Sequence, residues 1–73
     1  MTRLFTAAIH REGDAYVAIC PELDVASQGG TVEEAKANLR EAVELFLESA
    51  SPQEIKDRLH NETYLTSLEV EVG

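Results

Sequence analysis

Hydrophobic and polar positions along this chain alternate in twos, shift to a helical period, and return to alternation near the C-terminus. Residues 3–10 (Arg-Leu-Phe-Thr-Ala-Ala-Ile-His) alternate loosely, placing Phe5, Ala7 and Ile9 on one face. Residues 15–20 (Ala-Tyr-Val-Ala-Ile-Cys) are rich in side chains that suit a pleated surface. Glu12-Gly13-Asp14 between them supplies the chemistry of a tight turn, so the two segments predict a hairpin. With the turn at residues 12–14, Arg11 would pair with Ala15, His10 would lie opposite Tyr16, and Cys20 would lie opposite Thr6. Pro21 cannot donate to a ladder and stops the second strand. Residues 24–28 (Asp-Val-Ala-Ser-Gln) read as a short third strand, closed by Gly29-Gly30.

Thr31-Val32-Glu33-Glu34 is a capping box, in which the threonine hydroxyl caps a free N–H and the glutamate reaches back. A helix follows to about Glu48. Val32, Ala35, Leu39, Ala42, Val43, Phe46, Leu47 and Ala50 recur at three- and four-residue spacing and make one apolar stripe. The opposite face carries Glu33, Lys36, Arg40, Glu41, Glu44 and Glu48, with like charges on adjacent turns at Lys36–Arg40 and Glu41–Glu44. Ser51-Pro52-Gln53-Glu54 repeats the start signal, with proline at the first helical position. The second helix is short, holds Ile55 and Leu59, and ends near His60-Asn61. Residues 64–72 alternate strictly, with Leu68, Val70 and Val72 facing one way and Glu69 and Glu71 the other, as in a half-buried strand. The fold class is α+β: a β-β-β-α-(short α)-β two-layer sandwich, its antiparallel-rich sheet packed on one long helix. Val32, Leu39, Val43, Phe46 and Leu47 are expected to pack against Leu68, Val70, Val72 and the hairpin.

Seventy-three residues make a single domain, 1–73, whose core is thin for its surface. Disulfides cannot reinforce it, because Cys20 is the only cysteine. His10 and His60 with one thiol offer no metal-ligand spacing, so no cofactor is expected. Self-association into a homodimer or higher homo-oligomer is the remaining source of stability. The charge changes the picture further. Fourteen acids against six bases give −8, spread evenly along the chain. Such a surface repels phosphate backbones and lacks the basic cluster that nucleic-acid binding requires. It favours basic partners and speeds their association. The longest apolar run is far short of the roughly 20 residues that span a bilayer, and Met1-Thr2-Arg3-Leu4 is no signal sequence. A cytoplasmic location is the expectation.

Catalytic chemistry finds little support. In the expected register His10 and Cys20 stand four rungs apart, about 13 Å, too far for nucleophile activation. Ser27, Ser49, Ser51 and Ser67 lack a strand–turn–helix elbow. Gly29-Gly30 before a helix start reads as a turn needing glycine freedom, because Glu33 and Glu34 would repel an anion there. Glu22 and Asp24, two apart on an extended loop, could begin a divalent-metal site, but the first strand has no acid to complete it. No active site is expected.

Taken in order, Gly13-Asp14-Ala15-Tyr16-Val17-Ala18, Cys20-Pro21-Glu22-Leu23, Ser27-Gln28-Gly29 and Thr31-Val32-Glu33-Glu34-Ala35, followed by Asn38-Leu39, Glu41-Ala42 and Leu45, form a pattern. Over residues 5–48 it resembles the HicB family of antitoxin and antitoxin-like domains. The resemblance implies a compact β-β-β-α-β domain that blocks a small basic HicA-type ribonuclease. It also implies a C-terminal DNA-binding appendage. The chain departs there, because residues 51–73 are acidic and run helix then strand, whereas a ribbon-helix-helix needs a strand, two helices and basic side chains. It departs again at Leu23-Asp24-Val25, where the family carries a Leu-Pro-Gly-type loop. Two readings follow: an antitoxin-like module capturing a basic HicA-like toxin, or a stand-alone homo-oligomeric module with an unknown ligand. Candidate partner-binding residues are the acids Glu22, Asp24, Glu41, Glu44 and Glu48.

Overall fold

In the computed structural model, residues 3–60 and 63–73 are described, with the His60 side chain excepted. The expected helix end at Asn61 and the N-terminal Met1-Thr2 lie outside the described residues. The elements are β1 (Ala8–Glu12), β2 (Ala15–Cys20), β3 (Val25–Gly29), α1 (Val32–Ser49) and α2 (Pro52–His60). The strands form one antiparallel sheet in the order β1-β2-β3. One long helix packs on it, which makes the α+β architecture.

The β1–β2 hairpin turns on two residues, not three. Gly13 has a φ of 62° while Asp14 stays out of the left-handed region, as a type II′ loop requires. The register therefore shifts by one from expectation: Arg11 faces Tyr16, and His10 faces Val17. β1 also starts later than residue 3. Its partner ends at Cys20 before Pro21, which offers no N–H, and the Glu22 carboxylate accepts the Thr6 N–H instead (2.9 Å).

Alternation places Ile9, Ala18, Cys20 and Val25 on the helix-facing side of the sheet. The core consists of Ala18, Cys20 and Leu23 against Ala35, Leu39 and Val43 of α1, with Phe5, Ile9, Tyr16, Val25, Phe46, Leu47 and Leu59 partly buried around it. α1 packs most extensively on β3, less on β2 and least on β1. Gly29 permits this approach. A Cβ there would stand 2.6 Å from the Ala35 backbone nitrogen. Neither Gly29 nor Gly30 has a positive φ, so the glycine freedom expected at this turn is not used, and it is Gly29 alone that close packing requires.

The expected hydroxyl caps form at both helix starts. The Thr31 hydroxyl accepts the Glu34 N–H at 3.0 Å, and the Ser51 hydroxyl accepts the Glu54 N–H at 3.1 Å, with Pro52 opening α2. Arg58 ties α2 to the body: it donates to the Leu23 carbonyl, and its guanidinium lies 4.8 Å from the centre of the Phe46 ring.

The C-terminal segment departs from expectation. Residues 64–72 are not part of the three-stranded sheet, and Leu68, Val70 and Val72 are exposed, not packed on α1. Alternation makes a segment competent to be a strand, but pairing needs a free edge and an apolar wall within reach. Here α1 closes its own core on β2 and β3 without that segment.

Candidate partner-binding site

The five acids separate into three environments. Glu41, Glu44 and Glu48 lie at i, i+3 and i+7 on α1 and are all exposed, so they form one ridge along the helix, with Glu44 at its border towards residues 3–7. Glu44 meets Arg40 at 3.8 Å, an exposed i,i+4 pair. Beside the ridge stands Leu45, 55% exposed. Leu45 lies outside the apolar stripe that the three- and four-residue spacing of α1 predicts. An isolated leucine among carboxylates on an outer face is the signal that was available. Acids that steer and an apolar side chain that anchors are the usual ingredients of a protein-binding surface.

Asp24 stands apart from this ridge. It is the one non-glycine among the described residues with a left-handed backbone, at φ 55°, in the connection between β2 and β3. Aspartate tolerates that conformation better than most residues. Asp24 is exposed, and Arg58 reaches its backbone carbonyl at 3.5 Å.

Glu22 is a structural clasp. Its carboxylate accepts the Thr6 N–H and the Thr6 hydroxyl (2.8 Å), and the Cys20 thiol stands 3.6 Å away. Partial burial opposes ionisation, but the Thr6 hydroxyl and the backbone N–H groups around it outweigh that and hold the carboxyl below its ordinary value of 4.5. A depressed folded pKa gives stability that is complete above the unfolded value and lost as pH falls through the folded one. Glu22→Gln should therefore be less stable than wild type at roughly pH 7 and nearly equal to it at roughly pH 3, as read from urea melts. An equal gap at both would show that the carboxylate charge does not hold residues 3–7.

The neighbouring chemistry is set by burial. Cys20 is fully buried, and desolvation, with the Glu22 charge adding to it, pushes its thiol up despite the opposing Leu23 N–H. His10, on the other face of the sheet from Cys20, lies beside Glu12 (3.6 Å). Among the described residues no three His, Cys, Asp or Glu side chains converge as a metal site would need, and no helix is long and apolar enough to cross a membrane.

A second surface feature was not legible in the sequence. Because α1 sits towards β3, a groove of about 690 Å³ opens between α1 and the segment leading into β1. Phe5, Leu39, Val43 and Leu47 make its apolar wall; Arg3, Lys36 and Arg40 bring three of the six basic residues to it, against the single acid Glu44.

Fold and surface together define a small α+β domain with an acidic helical ridge. The chain is similar to the UPF0150 protein ssl0738 of Synechocystis sp., with 45% identity over 49 residues, 66% of this chain and 64% of that protein. It thus spans just under two thirds of that relative's length. No protein-family model matches the chain, and no solved structure does.

Proposed function

We propose that this chain is a HicB-like, antitoxin-type binding module that captures a small basic ribonuclease of the HicA type. The observation that carries the reading is the α1 ridge, where Glu41, Glu44 and Glu48 run along one side of the exposed Leu45. The ordered sequence pattern over residues 5–48 and the similarity to a UPF0150 protein support it. Glu22 is committed to Thr6 and leaves the partner-binding set; Asp24 stays at its margin. On this reading the domain acts by occlusion, and its net charge of −8 keeps it off duplex DNA and RNA.

Single exposed ion pairs contribute only about 0–1 kcal/mol, so the ridge acts chiefly through the collective field that accelerates encounter with a cation-rich partner. Leu45 then supplies the apolar contact that slows dissociation. The test is co-purification from the native host at low and moderate salt. The expected result is a small basic protein whose ribonuclease activity falls when the pure domain is added back. Reversing Glu41, Glu44 and Glu48 to lysine should slow association by about tenfold or more with the circular dichroism unchanged. Unchanged capture by the triple variant would remove the ridge from the mechanism. The second reading, a stand-alone homo-oligomer, is favoured by a different observation: the apolar C-terminal segment lies exposed.

A further inference from the structure

Among the described residues, five of the eight exposed large hydrophobic side chains fall within ten positions: Tyr64, Leu65, Leu68, Val70 and Val72. Isolated exposed leucines are ordinary, but a cluster on one short segment marks a contact surface. The segment is not folded back on the domain. The radius of gyration is 14.2 Å with a longest dimension of 48 Å, whereas a compact chain of this length has a radius near ~11 Å. The same protein carries an unfilled groove between α1 and residues 3–7, which lead directly into β1, the strand at one end of the described sheet.

We infer that residues 68–72 of one copy dock in the groove of a second copy, adding a strand at the β1 edge. The dimensions agree. Five extended residues span about 13 Å, and the stretch of α1 from Lys36 to Leu47 that lines the groove is about 17 Å long. The chemistry agrees as well. Leu68, Val70 and Val72 project to one side and meet Phe5, Leu39, Val43 and Leu47, while the main chain takes up the free N–H and C=O groups of the edge. Charge selects this occupant. The groove's three bases outnumber its one acid, Glu44, which pairs with Arg40, and Glu69 and Glu71 bring two negative charges within a screening length of Arg3 and Lys36. That attraction offsets the repulsion between two subunits of charge −8. The exchange is reciprocal, so it closes as a two-fold dimer.

The experiment combines sedimentation equilibrium of the full chain with isotope-filtered NMR on a mixture of labelled and unlabelled protein. The expected result is a dimer at micromolar concentration with intermolecular contacts from Leu68 and Val70 to Leu39 and Val43. The double variant Leu68→Glu/Val70→Glu should be monomeric with unchanged circular dichroism, because both side chains are exposed in the single chain. Lys36→Glu/Arg40→Glu should weaken the dimer without touching the segment. A monomeric wild type overturns the inference, whether its segment lies free or docks on its own groove. So does a dimer that survives Leu68→Glu/Val70→Glu.

Discussion

Replacing Leu23 by alanine is expected to cost about 2–5 kcal/mol of folding stability. Leu23 is the largest fully buried side chain, and it lies in the β2–β3 connection, not in a strand or helix. Truncating it leaves a cavity in the buried cluster it forms with Ala18, Cys20, Ala35, Leu39 and Val43. The loop is also held by its own main chain: the Leu23 N–H donates to Cys20 O at 3.3 Å, and the Leu23 carbonyl accepts from Arg58. The backbone is thus restrained from collapsing into the gap, which puts the loss in the upper part of that range. A domain of this length holds roughly 4–11 kcal/mol in all, so the variant should lose a large share of its cooperative urea transition. A loss below about 1 kcal/mol would show that the loop does not complete the core.

Gly29→Ala should destabilise by about 1–3 kcal/mol or more, although it adds a single methyl group. The new carbon would meet Ala35 N at 2.6 Å and Glu34 C at 2.8 Å, both backbone atoms in the first turns of α1. A flexible side chain could swing aside, but the start of a capped helix cannot. Relief requires α1 to lift from β3, which uncovers Ala35 and Leu39 together. Gly30→Ala is the internal control, because its nearest neighbour is the Glu34 carboxylate at 3.9 Å. Thermal melts should separate the two variants widely. If they coincide, the contact between β3 and α1 is looser than described.

Several features of this protein were legible in its residues because they depend on neighbours a few positions away. The glycine of the hairpin, the Thr31 and Ser51 caps and the three-and-four spacing of Ala35, Leu39 and Val43 are local, and each forms where its pattern lies. Local reasoning also put Glu41, Glu44 and Glu48 on one helix face. The β1–β2 loop is one residue shorter than the sequence predicts, because Glu12 pairs with Ala15 in the ladder and leaves only Gly13-Asp14 in the turn.

What depended on the tertiary structure is everything set by which surfaces meet. Glu22 and Asp24 look alike as loop acids two residues apart, yet one is consumed by Thr6, sixteen positions away, and the other sits at a left-handed bend. Gly29 looks like a turn residue until α1 is laid across it. Residues 64–72 have the alternation of a strand, but alternation specifies only which side chains share a face. Whether that face is covered depends on an edge and an apolar wall, and α1 fills its half of the sheet and leaves the groove by β1 open. A hydrophobic pattern records that a segment must be buried; the packing of the rest of the chain decides where.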